Sequence, residues 1–219
     1  MYVYPEKSNN QAMLTFQFDD IPPLQVGTQN PNTVQPLPVF NPYHQFDFSD
    51  GFTVVPPPTD PYLPSSKPLL LEFIPNFNMN GSNPHAGPNT IEGGYSGQIS
   101  DGDFGLTGCF LFNMYGASFG CDSKGPACDF TFVGYRTDAS TGNETVIAKE
   151  DYSIAACPSL KNCALTPIQL DPVFSNMTGV RINVTVASQP KIWWMDNLRL
   201  GWFDNSCATG MCRLNAHIH

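Results

Sequence analysis

The sequence predicts an all-β fold: a two-layer antiparallel β-sandwich of the jelly-roll kind, with long Pro-, Gly- and Asn-rich loops. Three observations carry this. Proline (21) and glycine (18) punctuate most of the 219 residues, phenylalanine (16) is abundant, and charged residues make up only 13%; this is the composition of short strands joined by turns. No stretch longer than about ten residues sustains helical periodicity. Several segments instead alternate apolar and polar residues, the period of two that sends neighbouring side chains to opposite faces of a strand.

Taken in order, "AMLTFQFDD" (12–20) alternates well enough to be a first strand. Residues 21–68 read as Pro-rich connection with a short strand at "GFTVV" (51–55), and "PLLLEFI" (68–74) is the next strand. The Asn- and Gly-rich stretch 75–103 is longer than an idle connection in a compact domain, and such loops are usually functional or mobile. "LTGCFLFNMY" (106–115) places Leu106, Phe110, Phe112 and Met114 on one face and Cys109, Leu111 and Tyr115 on the other. Both faces are apolar, so one meets the partner sheet and the other needs a cover, either loop or ligand. "CDFTFVGYR" (128–136) and "GVRINVTV" (179–186) follow, the second with Val180, Ile182, Val184 and Val186 inward and Arg181, Asn183 and Thr185 outward. In "KIWWMDNLRLGW" (191–202), adjacent tryptophans must face opposite ways. Trp194 shares its parity with Ile192, Leu198, Leu200 and Trp202, which places it between the sheets provided no bulge intervenes. Trp193, with Met195, then lies on the other face, roofed by loops or lining a pocket. The chain has no internal repeat and no flexible linker, so 1–219 reads as one domain, with 1–11 and 213–219 as tails.

The formal charge is −9, and the 10 Lys and Arg residues argue against nucleic acid as a partner, since phosphates demand cations. Asp outnumbers Glu; Asp suits turns, and it also permits a calcium site. No apolar run is long enough to span a bilayer. Sequons at Asn80, Asn143, Asn176 and Asn183 are candidate glycosylation sites. Three close cysteine pairs, Cys121/Cys128, Cys157/Cys163 and Cys207/Cys212, read as disulfides that staple turns, leaving Cys109 as a buried free thiol. Their unequal spacings lack the two-residue gap of zinc ribbons. Sequons and disulfides together place the protein in the secretory lumen or outside the cell, as a mature chain whose leader has been removed.

"FQFDDIP" near the start and "WWMDNLRLGW" near the end resemble the paired first- and last-strand motifs of secreted β-jelly-roll proteins of the galactose-binding-like type. The resemblance implies that the termini pair in one sheet and that Asp19, Asp20 and Asp196 come close. They would then serve as ligands of a structural Ca2+ with help from the Asn197 amide, or simply cap turns. With its closing "DNSCATGMCR", the chain resembles fungal secreted proteins. Within that group it is similar to the glycosylated β-sandwich hetero-Diels–Alderases of tropolone–sesquiterpenoid biosynthesis. That likeness implies cofactor-independent joining of an ortho-quinone methide, derived from a tropolone or phenol, to a humulene-type alkene.

The residues alone favour no hydrolase. There is no Gly-x-Ser-x-Gly elbow, no His-Glu-x-x-His helix and no phosphate loop, and four histidines are the whole supply. Of the glutamates, only Glu72 sits in an apolar strand; it is surface-facing, or has a raised pKa if buried. A pericyclic reaction needs none of these groups, only two reactants held in a near-attack pose with a donor to polarise a carbonyl. The candidate walls for such small hydrophobic substrates are Trp193, Tyr115 and Phe104, with Tyr43 and His44 as donors. The rival is a glycan-binding or adhesive module whose partner is polysaccharide, using the 75–103 loop and its Tyr95. The two readings part on shape: an enclosed apolar cavity beside Trp193, or a shallow open groove.

Overall fold

In a computed structural model, residues 13–21, 37–55, 61–77, 93–102 and 107–216 are described. The strands of the first half are short: β1 (Leu14–Phe16), β2 (Leu37–Pro38), β3 (Asp47–Phe48), β4 (Phe52–Val55), β5 (Tyr62–Leu63), β6 (Leu70–Phe73) and β7 (Gly97–Ser100). The second half holds β8 (Phe112–Cys121), β9 (Cys128–Thr137), β10 (Glu144–Ile154), β11 (Cys163–Ala164), β12 (Thr166–Gln169), β13 (Gly179–Val186), β14 (Gln189–Pro190) and β15 (Trp193–Trp202), and closes with helix α1 (Cys207–Ala216).

Two antiparallel sheets form the sandwich. One runs β12–β8–β15–β6–β4–β2 with β1 added to β15; the other runs β10–β9–β13–β7–β3 with β14 added to β13. The pairing of β1 with β15 (Leu14 opposite Leu200, Phe16 opposite Leu198) brings the two terminal motifs into one sheet, as the resemblance implies. Between the sheets lies one aromatic-rich core containing Phe52, Phe73, Phe112, Phe119, Phe130, Phe132 and the alternating Val180, Ile182, Val184 and Val186.

The two tryptophans stand opposite to expectation. Trp193, 1% exposed, is the inter-sheet residue, with ring centroids 5.3 Å from Phe73, 5.5 Å from Phe52, 6.0 Å from Phe119 and 6.3 Å from Phe130. Trp194 belongs to a smaller cluster with Tyr62, Leu70, Cys157 and Leu165. A bulge is the cause. The register of β15 on β8 shifts between Asp196 and Arg199, and Asn197 takes a left-handed φ of 51°, a conformation that Asn tolerates better than most residues. Trp193 and Met195 before the bulge and Leu198 and Leu200 after it all reach the same core. The partner strand slips in step: the register shifts again between Arg199 and Leu200, and β8 turns inward Phe112 and Met114, then Ala117, Phe119 and Cys121.

The cysteine pairing also needs a correction. Cys121–Cys128 and Cys157–Cys163 are bonded as expected, but Cys212 is joined to Cys109, and the free, exposed thiol is Cys207. The reason is the helix. Residues 207–216 coil instead of forming a stapled turn, with Ser206 as the N-cap accepting from the Thr209 amide. Residues 213–216 are therefore helix rather than tail. Buried Arg213 donates to the carbonyls of Cys109 (2.7 Å) and Asp204 (3.0 Å) and lies 4.9 Å from the Trp202 ring. Three intramolecular disulfides are typical of secreted proteins, and among the described residues no helix is long and apolar enough to cross a membrane.

Of the sequons, Asn143 is exposed, whereas Asn176 and Asn183 are half-buried with side-chain oxygens shut away from solvent and unpartnered; Asn80 lies outside the described residues. The outward face at Asn183 is thus not open in the way that its place in an alternating strand implies.

Glu72 stands across from Trp194 and Thr53 on the outer face of the first sheet and accepts from Thr53 Oγ1 at 3.4 Å. Burial above all, and Asp122 nearby, push its carboxyl up to about 7 from 4.5. Because the folded value is the higher, the folded state holds this proton more tightly. No penalty exists below the unfolded pKa; it grows as pH rises and is complete above the folded value. Glu72→Gln is therefore expected to stabilise the protein by on the order of 3 kcal/mol near pH 8 and to be neutral near pH 4. Urea unfolding at the two pH values checks this; a gap that does not depend on pH would contradict it.

Candidate functional site

After β1, the chain makes a turn in which Phe18 has a φ of 60° and its carbonyl accepts from the Ile21 amide. That turn lifts Asp19 and Asp20 to one rim. Facing it is a two-residue hairpin in which Tyr43 and Phe46 exchange both backbone hydrogen bonds, at 2.8 and 3.0 Å. Its central residues, His44 and Gln45, have φ of 47° and 72°. Such turns normally use Asn-Gly because both positions need positive φ; here two side-chain-bearing residues accept a strain of about 1–2 kcal/mol each. The turn sets the His44 ring beside Phe16 of β1.

The two turns are tied by one carboxylate. Asp20 Oδ1 accepts from the Tyr43 hydroxyl at 2.5 Å, and Oδ2 lies 2.6 Å from His44 Nε2. Burial pushes the Asp20 carboxyl up, but the bonds from Tyr43 and His44 and the histidine charge outweigh it and hold the group below its usual range. Tyr43, with its ring buried and its hydroxyl on a carboxylate, is shifted far upward and stays a donor. Aromatic rings surround the pair: His44 is 4.4 Å from Tyr43 and 5.5 Å from Phe16, and Phe18 stacks on Tyr43 at 5.6 Å. Phe40, 48% exposed, meets Tyr43 edge-on at 5.7 Å and carries the aromatic surface outward. Between these groups is a partly open depression of about 60 Å³, lined also by Leu14 and Gln17. Asp20 and His44 remain accessible, with side chains 47% and 31% exposed.

Sequence reasoning reaches Tyr43 and His44 as donors, and they do come together here. It reads Asp20 as a metal ligand and does not connect it to them across more than twenty residues. Phe16 and Phe40 carry no local mark beyond being aromatic.

The other expected site residues lie apart from this depression or have protein partners, although the Asp19 carboxylate acts on that of Asp196. Asp19, Asp20 and Asp196 are each taken by protein donors: Asp19 by the Leu69 amide (2.9 Å), Asp20 as above, and Asp196 by the amide (2.7 Å) and hydroxyl (3.0 Å) of Ser66. Burial raises the Asp196 carboxyl to about 6 despite those bonds. Among the described residues, no group of three His, Cys, Asp or Glu could hold a metal ion. Among the described residues, aromatic side chains of the core fill the space beside Trp193. Tyr115 sits half-buried on β8 with its hydroxyl 3.4 Å from Asn113 Nδ2, and Tyr95 is half-buried beside β7; neither belongs to the depression. Phe104 lies outside the described residues.

These features define a disulfide-bonded, all-β sandwich with a shallow polar-aromatic depression between its first strand and a strained hairpin. The chain belongs to the family described as Domain of unknown function (DUF7371), whose model matches residues 10–213. No curated protein matches the sequence. Among solved structures, it is similar to the N-terminal CBM22-1–GH10 modules of the Clostridium thermocellum endo-1,4-beta-D-xylanase 10B complexed with xylohexaose. The identity is 13% and the TM-score 0.40, over 79% of this chain and 29% of that one. The chain thus spans under a third of the length of that structure.

Proposed function

We propose that this protein is a secreted glycan-binding module, and that the Asp20–His44 depression takes the hydroxyl groups of a neutral sugar. One observation carries the reading: an accessible carboxylate, held rigid by His44 and Tyr43, sits at the rim of a shallow hollow flanked by exposed Phe40. A carboxylate oxygen has two acceptor sites, so each Asp20 oxygen keeps capacity for a sugar hydroxyl after bonding Tyr43 or His44. The apolar face of a pyranose stacks on the face of an exposed aromatic ring, and Phe40 supplies one beside the hollow. The hollow admits one hydroxymethyl corner, and the rest of the ligand lies across the surface.

The cycloaddition reading keeps one observation in its favour, the Tyr43 and His44 donors. Its two hydrocarbon-rich reactants call for a site on the order of 300–1,000 Å³, and the depression offers about 60 Å³.

The test is titration calorimetry with oligosaccharides selected on a glycan array. Asp20→Asn and His44→Ala are each expected to weaken binding about 10- to 100-fold, the worth of a hydrogen bond to a charged group, with the circular dichroism of the folded protein kept. Absence of any array signal from the wild type, or full binding by both variants, would overturn the reading. A product ratio altered by the protein in a mixture of quinone methide and alkene would favour cycloaddition instead.

A further inference from the structure

We propose that the outer face of the second sheet carries a cation site, in which the carboxylates of Asp47 and Asp101 bind a hard divalent ion, calcium by preference. The site is separate from the Asp20–His44 depression, and its argument is independent of glycan binding. It begins with register. Asp47 is opposite Ser100, Ser100 opposite Gly179, and Gly179 opposite Tyr135. The four residues form one row across β3, β7, β13 and β9, and residues in one row point to the same face.

Gly179 leaves a gap in that row. A Cβ there would collide with the Tyr135 hydroxyl, so the phenol reaches across β13 toward Ser100 and Asp47. At the end of β7 the chain turns at Gly102, with a φ of 56°, and a Cβ at that position would run into the Asp47 carboxylate. Asp47 is thereby seated against the backbone at Gly102, the residue that follows Asp101.

Two oxygens here lack partners. Asp101 is 3% exposed and its Oδ2 makes no hydrogen bond; Tyr135 is 2% exposed and its hydroxyl makes none. Buried polar atoms are almost always satisfied, and exceptions mark an ion, a water or a functional strain. The arginine of this face sits beside Tyr135 and does not serve Asp101. Arg181 is committed to both oxygens of Glu144 at 2.7 Å and to Gln98 at 3.0 Å, and leans on the Tyr135 ring at 4.3 Å.

What remains is a donor set of oxygens only: two carboxylates, the Ser100 and Tyr135 hydroxyls and nearby carbonyls. Hard cations choose such sets, and calcium, with six to eight ligands in flexible geometry, suits irregular ones better than magnesium. Two charges place the affinity in the range of extracellular modules, with Kd on the order of 10⁻⁴–10⁻³ M.

The experiment strips the full-length protein with chelator and titrates it with calcium chloride alone, followed by calorimetry and thermal melting, with magnesium chloride in parallel. Calcium should bind and raise the melting temperature by several degrees, magnesium should do so less, and the isosteric D101N should lose the response while keeping the wild-type circular dichroism. D47N should weaken calcium at least tenfold. No heat and no melting shift in the wild type at ~10 mM calcium, a level well above the expected Kd, would overturn the site. So would a full response in D101N, or a response lost in D196N but kept in D101N.

Discussion

Replacing Trp193 by alanine is expected to cost about 3–5 kcal/mol, the range for a buried large aromatic, and to place the variant at the edge of folding. Its indole touches Phe52, Phe73 and Phe119 of its own sheet and Phe130 of the other. Truncation therefore opens a void that spans both layers and that rigid rings cannot collapse to fill. Trp194→Ala removes a ring of equal size from the smaller outer cluster, where Tyr62 is its aromatic partner at 5.4 Å. Its cost should fall at the low end of that range or below. Urea unfolding with an unchanged m-value measures both. A larger loss for Trp194 than for Trp193 would contradict the order of the two layers.

The second large effect belongs to the Cys109–Cys212 bond. Its closed loop spans 103 residues, against 7 for Cys121–Cys128. Chain entropy then assigns about 4–5 kcal/mol to the first and about 2 kcal/mol to the second. C109A/C212A should accordingly lose roughly twice the stability of C121A/C128A in denaturant melts. Peptide mapping without reductant should recover Cys109 joined to Cys212, and C207S should melt like the wild type. Recovery of a Cys207–Cys212 peptide would refute the arrangement around α1.

Much of the fold was legible because it is written in local alternation. Val180 to Val186 points inward as its period of two requires, and the Phe-rich strands could only be buried. What escaped depends on partners distant in the chain. Trp193 and Trp194 were exchanged because Asn197 interrupts the period, and nothing in "WMDNLRL" marks a bulge more strongly than a turn residue that a strand also tolerates. The strand Glu144–Ile154 was hidden by its exposed, charged residues. Helix α1 was hidden by its cysteines, whose short spacing looks like a staple until Cys109 offers Cys212 a better placed partner. Tyr43 and His44 were visible as donors beside one another. Asp20 was visible as a calcium ligand or a turn cap and not as their partner, since its bond to them is made by the fold.

The paired slip in β8 and β15 has a consequence for engineering and for descent. Each ribbon is read in two frames, one on either side of the kink, and the frames agree only because both ribbons change phase together. Deleting one residue at the kink of a single ribbon would turn half of its large rings toward solvent while its neighbour stayed in place. Deleting one from each would restore agreement. Length changes in this pair are therefore expected to survive only as matched events, and a chimera that takes one ribbon from a relative must take the other as well.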